Sequence, residues 1–286
     1  MNANTREAAQ DTDSHTVVQG THQPDNPAEM QILSLEIFRQ LALGQPALGA
    51  ALGLSEAVIG ERLQSYAPSV IDFDAGAQAH AEWEEWATAH PNDHALDMGQ
   101  AVQFMRDTLP ADTIICNGAG NFSGWWHRYW RYEGFPTQLA PTCGAMGYGV
   151  PAAVAAALRH PERTVVAVAG DGDFLMNGQE LATAAQHGAD LIVIVVDNSA
   201  YGTIRMHQER EFPGEERISG TRLANPDFAA LAEAFGGWSA RAGTTEQFKE
   251  ALIAAQGRSG IRLIHCTIDI EQLAASGASV SGLRAR

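Results

Sequence analysis

Runs of apolar, mostly β-branched residues constrain the fold more than any other feature of this sequence. They are TIICN (113–117), TVVAVA (164–169), LIVIVV (191–196) and RLIHCTI (262–268), with shorter candidates TQLAP (137–141) and WSARA (238–242). Strands that are apolar throughout, and not only at alternate positions, are typical of parallel sheets covered on both faces by helices. The sequence therefore predicts an α/β fold, a doubly wound and mostly parallel sheet of about six strands with helices on both faces.

The segments between these runs predict helices, because their apolar residues recur with helical spacing. The five clearest are MGQAVQFMRDTL, GYGVPAAVAAALRH, NGQELATAAQHG, NPDFAALAEAFG and TTEQFKEALIAAQG. Asn225-Pro226 and Thr244-Thr245 begin the last two segments and suit N-cap and first-turn positions.

The chain has a different character before this regular alternation begins. Residues 1–29 are rich in polar residues and proline, and they predict no packed core of their own. From Met30 the sequence turns apolar and helix-like, as in MQILSLEIFRQLAL and AQAHAEWEEWATA. HPNDHALD (90–97) reads as a linker with a helix start after it.

Composition and charge exclude several classes of partner. The formal net charge of −16 argues against nucleic acid or an anionic membrane, since both require clustered Lys and Arg. Cys116, Cys143 and Cys266 form no CxxC pair, which indicates a reducing compartment. The longest apolar run, LIVIVV, is far shorter than a membrane span. We therefore expect a soluble cytoplasmic protein.

Four glycine-rich or polar segments follow the predicted strands. They are GAGNFSG (118–124), TCGAMGYG (142–149), GDGDF (170–174) and DNSAYGTI (197–204). Ligands of parallel sheets lie at the carboxyl ends of the strands, where glycines let backbone N–H groups approach an anion. The same glycines could simply form tight turns. GAGNFSG could also be a nicotinamide-binding loop, although its GxGxxxG spacing departs from the usual fingerprint and no convincing acidic ribose partner follows.

The acidic segment is more specific. Asp171 can supply a carboxylate oxygen, Asn198 an amide oxygen 27 positions later, and Ala200 a backbone carbonyl. Mg²⁺ binds about six oxygens and commonly takes one or two carboxylates together with phosphates and water. The spacing therefore predicts a site for Mg²⁺ and a diphosphate.

GDGDFLMNGQELATAAQHGADLIVIVVDN resembles the GDG-to-Asn motif of thiamine-diphosphate enzymes, and FLMNGQELAT is most similar to the acetolactate synthase family. The resemblance covers residues 97–270 and implies a C-terminal diphosphate-binding domain with thiamine diphosphate and Mg²⁺ as cofactors. It implies decarboxylation of a pyruvate-like 2-oxo acid and transfer of the product carbanion to a proton or a second carbonyl. Residues 97–286 would form this domain, and residues 1–96 a polar tail, the remnant of a middle domain and a linker.

The same resemblance implies roles for individual residues. Asp171, Asn198 and the Ala200 carbonyl correspond to the metal ligands. Met146 corresponds to the bulky apolar residue under the bent cofactor, and this is the catalytic residue that the resemblance implies. The cofactor-binding residues that it implies are Ala119, Gly120, Asn121, Phe122, Gly144, Met146, Gly170, Asp171, Gly172, Asp173, Asn198, Ala200, Tyr201, Gly202 and Thr203.

The chain lacks one part that the resemblance leads us to expect. Members of the family have an N-terminal pyrimidine-binding domain, whose glutamate activates the cofactor. No such domain is recognisable in residues 1–96, where Glu36, Glu82 and Glu84 look like solvated helix residues. We therefore expect a homo-oligomer, or a complex with a chain that carries the missing domain. The alternatives are a fragment of a longer enzyme or a catalytically silent cofactor-binding or assembly subunit, and more remotely a nicotinamide oxidoreductase.

Three residues depart from the family pattern. Asp173 stands where relatives usually carry a small polar or neutral residue, and a carboxylate beside a diphosphate should weaken binding. Asp197 replaces the commoner Asn and is expected to be solvated or hydrogen-bonded. His207 occupies the place of a large aromatic residue that shapes the acceptor pocket, and contact with substrate or plain exposure are both open. The aromatic segment GWWHRYWRYEGF (124–135) is expected at a dimer or interdomain interface.

Overall fold

A computed structural model describes residues 73–212 and 218–285 of the chain. The polar tail and the segment MQILSLEIFRQLAL, which contains Glu36, lie outside the described residues. The other helix-like segment, AQAHAEWEEWATA, is described and lies mostly within a helix, as predicted. Residues Ala77–Arg286 group into one compact unit by their contacts. The domain boundary between residues 96 and 97 stays a prediction.

The core of the described chain is a six-stranded sheet with every strand pair parallel. Its strands are β1 (Ile114–Asn117), β2 (Gln138–Leu139), β3 (Val165–Gly170), β4 (Leu191–Asp197), β5 (Trp238–Ala242) and β6 (Ile261–Thr267). Their order across the sheet is β2-β1-β3-β4-β6-β5. Each strand coincides with one of the apolar runs, so the predicted α/β fold and its mostly parallel sheet are confirmed.

Helices connect the strands and flank the sheet. They are α1 (Phe73–Trp86), α2 (Met98–Thr108), α3 (Ser123–Tyr129), α4 (Gly149–Arg159), α5 (Asp171–Asn177), α6 (Leu181–His187), α7 (Gly202–Glu211), α8 (Phe228–Ala234), α9 (Thr245–Gln256) and α10 (Val280–Arg284). Two starts follow the expected capping chemistry. The Asp97 side chain accepts a hydrogen bond from the N–H of Gln100 in α2, and the Thr244 hydroxyl accepts one from the N–H of Gln247 in α9.

The structure corrects one predicted helix start. Asn225-Pro226 do not begin α8, which starts at Phe228. Asp227 is its N-cap, because the Asp227 carboxylate accepts hydrogen bonds from the N–H groups of Ala229 and Ala230. Asn225 is therefore available for another role.

The sequence suggested that GDGDF is a loop, and the structure corrects this expectation. β3 ends at Gly170 and α5 begins at Asp171 without an intervening turn, because the Asp171 side chain itself accepts from the N–H of Gly172 in the first helical turn. The expected helix NGQELATAAQHG is divided by a 3₁₀ turn at Gly178–Glu180, where the Phe174 ring fills the space beside Gly178. Asp171 and Asp173 thus lie in the first turn of a helix and not in a loop.

Alternate residues of the central strands point into two separate cores. Val166 and Val168 pack on one face with Trp126 of α3, whereas Ala167 packs on the other face with Phe228 of α8. All five of these apolar side chains are fully buried. This arrangement explains why the strands are apolar at every position and not only at alternate ones.

The expectation that GWWHRYWRYEGF forms an interface is wrong for most of its aromatic residues. Trp125, Trp126, Tyr129 and Trp130 are buried in the core of this same unit, since positions i, i+1, i+4 and i+5 share one face of α3. Only Phe135 of the segment's large apolar side chains is fully exposed among the described residues.

Two further expectations concern cysteines and membranes. All three cysteines are free, with Cys116 and Cys266 buried and Cys143 exposed. No helix in the described ranges combines the length and apolarity that crossing a bilayer requires.

Helix α9 offers a matched test of this packing. Phe248 is fully buried and Ile253, on the same helix, is 57% exposed. Replacing Phe248 with Ala should lower the free energy of unfolding by about 3–5 kcal/mol through lost burial and a cavity. Ile253→Ala, the control, should change it by less than about 1 kcal/mol. Urea unfolding of the 286-residue chain measures both values, and equal losses would contradict the assigned orientation of α9.

Candidate functional site

The segments that follow β1, β2, β3 and β4 surround one cavity of about 240 Å³ at the carboxyl edge of the sheet. The structure brings every predicted cofactor-binding residue to the wall of this cavity. They are Ala119, Gly120, Asn121, Phe122, Gly144, Met146, Gly170, Asp171, Gly172, Asp173, Asn198, Ala200, Tyr201, Gly202 and Thr203. Residues from four separate segments therefore share one site.

Five apolar residues that the sequence did not single out complete the wall. They are Trp125, Val196, Ile204, Ile268 and Leu273. Ile268 and Leu273 belong to the segment after β6, which carries no glycine-rich signal. The cavity thus has a polar side built from the motif segments and an apolar side built from four buried residues and the half-exposed Ile204.

Asp171 is the buried carboxylate at the centre of the polar side, with 3% of its surface exposed. Its Oδ1 accepts from the N–H of Gly172 at 2.8 Å, and its Oδ2 accepts from the N–H of Ala200 at 3.1 Å and from Asn225 Nδ2 at 2.8 Å. Burial raises the pKa of Asp171 to about 6, against the opposing effect of the hydrogen bonds from Asn225 and Gly172. Within residues 73–212 and 218–285, no Lys, Arg or His forms an ion pair with it. The site therefore holds a buried acid surrounded by neutral donors, a setting that favours an added cation.

A tight turn brings Asn198 and Ala200 to the same place. Ser199 has a φ of 54°, the left-handed conformation that is uncommon for residues other than glycine. The N–H of Ala200 donates to Asn198 Oδ1 at 3.2 Å as well as to Asp171, so this turn and α5 are joined at one backbone group. A Cβ at Gly202 would lie 2.9 Å from Asn198 Nδ2, so a larger residue there would displace the Asn198 side chain.

Asp197 lies behind this turn. Of the two alternatives for this residue, solvation or hydrogen bonding, the structure shows the second, because Asp197 is buried and hydrogen-bonded. Its Oδ1 accepts from the N–H of Ser199 and from Asn225 Nδ2, both at 2.8 Å, and its Oδ2 is 2.9 Å from His265 Nε2. Burial works to raise the pKa of Asp197, but the hydrogen bonds from His265, Ser199 and Asn225 prevail and hold that pKa below its ordinary value.

Asn225 and His265 are site residues that the sequence reasoning missed. Asn225 was interpreted as a helix cap, and His265 was taken as part of the strand RLIHCTI. The one available signal was a polar side chain within an otherwise apolar buried strand. His265 is in fact mostly buried, and its ring packs edge-on against Phe228 with 5.1 Å between ring centroids.

Asp173 is directed at the backbone of two other segments. Its Oδ1 accepts from the N–H of Gly147 at 2.9 Å and from the N–H of Ala119 at 3.1 Å, while its buried Oδ2 has no hydrogen-bond partner among the described residues. Burial raises the pKa of Asp173 to about 6, opposed by these two backbone bonds. A Cβ at Gly118 would overlap the Asp173 carboxylate. Asp173 thus ties the segments after β1 and β2 to helix α5.

Further contacts link the remaining segments. Thr203 Oγ1 donates to Asn121 Oδ1 at 3.0 Å and accepts from the N–H of Asn121 at 2.9 Å, which joins the segments after β4 and β1. The Phe122 ring lies against Gly170, where a Cβ would be 2.7 Å away. The glycine is needed because the ring occupies that space.

Met146 lies between Gly144 and Gly147, whose φ values of 68° and 81° require the left-handed conformation. A Cβ at Gly147 would also lie 2.6 Å from Met176 Cβ. Met146 is partly buried and lines the cavity. The backbone around it is therefore tightly specified.

The other residues discussed from the sequence lie away from the cavity wall. Glu82 is exposed on α1, and Glu84 forms a two-point ion pair with Arg131, with Nη2 2.6 Å from Oε2. His207 is exposed on α7 and does not line the cavity. None of these three carries a described contact with the polar side of the site.

The oxygens at this site suit Mg²⁺ with a diphosphate. The described residues hold no group of three or more His, Cys, Asp or Glu that could bind a metal by themselves. One carboxylate, one amide oxygen and one backbone carbonyl are hard ligands that leave places for phosphate oxygens and water, as Mg²⁺ prefers. The buried, cation-free carboxylate of Asp171 is the observation that makes the fit specific.

Comparison with known proteins identifies the domain. Residues 118–266 match the C-terminal TPP-binding domain of the thiamine pyrophosphate enzymes. Over 188 residues, 64% of this chain, the sequence is 36% identical to the acetolactate synthase isozyme 2 large subunit of Escherichia coli (strain K12), of which the match covers 33%. Over 269 residues, 85% of the chain, it is 29% identical to the 3D-(3,5/4)-trihydroxycyclohexane-1,2-dione hydrolase of Bacillus subtilis (strain 168), of which the match covers 42%.

A solved structure agrees with these relatives. The thiamine diphosphate-dependent 4-hydroxybenzoylformate decarboxylase of Rhodococcus jostii RHA1 superposes with a TM-score of 0.59 and 28% identity, over 63% of this chain and 34% of that one. The chain thus spans less than half the length of each of these three proteins. The matched region begins at Gly118, the first residue of GAGNFSG, so the oxidoreductase interpretation of that segment loses its support. Because residues 118–266 make up more than half of the 286 residues, the chain belongs to the thiamine pyrophosphate enzyme family and contains that family's C-terminal TPP-binding domain.

Proposed function

We propose that this chain binds thiamine diphosphate and Mg²⁺ in the cavity and serves a 2-oxo acid decarboxylase or carboligase of the acetolactate synthase type. One observation carries the proposal. Asn198 and Ala200 lie beside Asp171, a buried acid that has no basic side chain as an ion-pair partner among the described residues. The matches to an acetolactate synthase large subunit and a 4-hydroxybenzoylformate decarboxylase support the reaction class.

Each part of the cavity has a distinct task in this proposal. Asp171, the Asn198 amide oxygen and the Ala200 carbonyl hold the cation, and Met146 supports the cofactor's rings from its tightly specified segment. When bound, thiamine diphosphate supplies a carbon nucleophile that adds to the carbonyl of a 2-oxo acid and lets carbon dioxide leave. The apolar wall that includes Trp125 and Leu273 excludes water, which strengthens the electrostatic interactions inside.

The substrate proposal is a pyruvate-like 2-oxo acid. The apolar side of the cavity suits the hydrocarbon part of such an acid, and two of the relatives are named for acetolactate synthesis and for decarboxylation of a benzoylformate. His207, exposed on α7, stays a candidate contact for the acceptor.

The activating glutamate is proposed to come from a pyrimidine-binding domain on another chain. Leu175, Met176 and Ile204 are each about half exposed, and Ile204 also lines the cavity, so an apolar surface adjoins the site. A homo-oligomer, or a complex with a chain that carries the missing domain, would cover this surface. The division into residues 1–96 and 97–286 and a cytoplasmic location are part of the same proposal and rest on the sequence.

Removing the buried acid tests the metal assignment. Calorimetric titration of the full chain with thiamine diphosphate should show binding that requires Mg²⁺. Asp171→Ala should weaken this binding by more than about 100-fold, above the range for residues that only support a ligand. Glu246→Gln, which removes a carboxylate exposed on α9, is the matched control and should leave the affinity unchanged. Equal affinities of wild type and Asp171→Ala for thiamine diphosphate would contradict the assignment of Asp171 as a metal ligand.

The raised pKa of Asp171 sets the pH dependence. Cation binding needs the carboxylate form of Asp171. The affinity for Mg²⁺ and thiamine diphosphate should therefore be independent of this group above about pH 6 and should fall about tenfold per pH unit below it. Without Mg²⁺ the sign is reversed, because burying the charge lowers the stability of the folded chain as the pH rises from about 4 to 6. Titration between pH 5 and pH 8, corrected for protonation of free thiamine diphosphate, measures the first effect. An affinity that is flat over this range would contradict it.

Exchange of the thiazolium C2 proton separates an autonomous enzyme from a subunit. Since the activating glutamate is proposed to lie on another chain, the isolated chain with Mg²⁺ and thiamine diphosphate should exchange this proton no faster than free cofactor. The proton is followed by NMR in deuterium oxide. Accelerated exchange would show that the chain activates the cofactor alone. Exchange that stays slow with every partner would favour a catalytically silent binding subunit.

A further inference from the structure

Asn225 occupies a position that the family motif does not include. Main-chain hydrogen bonds hold its segment against the turn after β4, from the N–H of Tyr201 to the Thr221 carbonyl at 2.9 Å and from the N–H of Leu223 to the Ser199 carbonyl at 2.8 Å. Asn225 is therefore placed directly behind the residues proposed to hold the cation.

The Asn225 side chain bridges two buried acids. Its Nδ2 donates one proton to Asp171 Oδ2 and the other to Asp197 Oδ1, both at 2.8 Å. The opposite amide orientation would turn Oδ1 toward two carboxylates, so the assignment of nitrogen to this side is the favourable one. Both donors of the amide are thus used between groups that would otherwise repel each other.

A count of lone pairs shows what this bridge does to Asp171. Oδ2 accepts from both Asn225 Nδ2 and the N–H of Ala200, which fills its two in-plane lone pairs. Oδ1 accepts only from the N–H of Gly172 in the described structure and keeps one lone pair. The two oxygens are therefore not equivalent, and Oδ1 is the one left to face a cation.

The far side of the bridge is itself restrained. His265 Nε2 lies 2.9 Å from Asp197 Oδ2, and the His265 ring packs edge-on against Phe228. Phe228 in turn packs edge-on against Phe174 of α5, with 5.3 Å between the centroids. Asp197 thus offers Asn225 a fixed acceptor.

We propose that Asn225 is a positioning residue, which occupies Oδ2 of Asp171 and so presents Oδ1 to the divalent cation; this rests on the proposed function. A purely structural role as helix cap does not account for it, because Asp227 caps α8. Removing the amide should therefore weaken cation binding while leaving α8 in place.

The test compares two variants at Asn225 with a control two residues away. Asn225→Leu keeps the approximate volume of the side chain but lacks the two N–H donors. Asn225→Ala removes both the volume and the donors. For each full-length variant, the Mg²⁺ concentration that gives half-maximal thiamine diphosphate binding is measured by calorimetry. We expect it to rise at least about tenfold in both, the range found for residues that orient a metal ligand. Asp227→Ala, which removes the α8 cap and its ion pair with Arg241, should leave it within about twofold.

Two outcomes of this titration would overturn the proposal. One is a wild-type Mg²⁺ requirement in Asn225→Leu. The other is an equal rise in Asp227→Ala, because the effect would then come from loosening of the segment and not from the amide.

A measurement on the cofactor-free protein distinguishes failure of this inference from failure of the proposed function. In protein labelled at asparagine side chains, the two Asn225 amide protons should exchange with solvent at least about tenfold more slowly than those of exposed Asn92. Asp171→Ala should remove this protection from the proton that Asn225 donates to Asp171 and leave the proton donated to Asp197 protected. If the wild type binds no thiamine diphosphate, the proposed function fails, and amide exchange still decides whether Asn225 bridges Asp171 and Asp197. Unprotected amide protons would overturn this bridge.

Discussion

The site depends on the buried carboxylate of Asp171, which is held by neutral hydrogen-bond donors where β3 meets α5. Its position follows from the sheet, because β3 is flanked by β1 and β4 and its carboxyl end is surrounded by their following segments. Its burial disfavours the charged form and so raises its pKa. The proposed divalent cation would reverse that preference, because it stabilises the carboxylate form.

The fold could be predicted from the sequence because it is written in local patterns. Strands buried on both faces need apolar residues throughout, and TVVAVA and LIVIVV satisfy that need within their own few residues. The polar segments at the strand ends could be placed on one edge for the same reason. What failed were features that depend on contacts distant in sequence or on local packing. The aromatic residues of α3 turned into the core, and the helix expected after Asn225 began later, because Asp227 offered the better cap.

The candidate site shows the same division. Asp171, Asn198 and Ala200 could be predicted because the motif carries them at a known spacing. Asn225 is 54 positions from Asp171 and 28 from Asp197, and nothing in its neighbourhood marks it as their common donor. His265 is further still from its partner Asp197, at 68 positions. Such residues are recognised only once the fold brings them together, since their role is defined by the groups they touch.

The two acids of GDGDF contact different segments although only Gly172 separates them in the sequence. Asp171 faces the turn after β4, whereas Asp173 accepts from the backbone of the segments after β1 and β2. The carboxylate of Asp173 therefore stabilises the frame of the cavity. The weaker diphosphate binding that the sequence led us to expect from this carboxylate stays a prediction.

The close fit between Asp173 and Gly118 makes the side chains allowed at these two positions depend on each other. A methyl group at 118 would overlap Asp173 Oδ2, so alanine there would push the carboxylate away from the N–H groups of Gly147 and Ala119. Shortening the side chain at 173 would free that space. In this chain the residue tolerated at 118 therefore depends on the residue at 173.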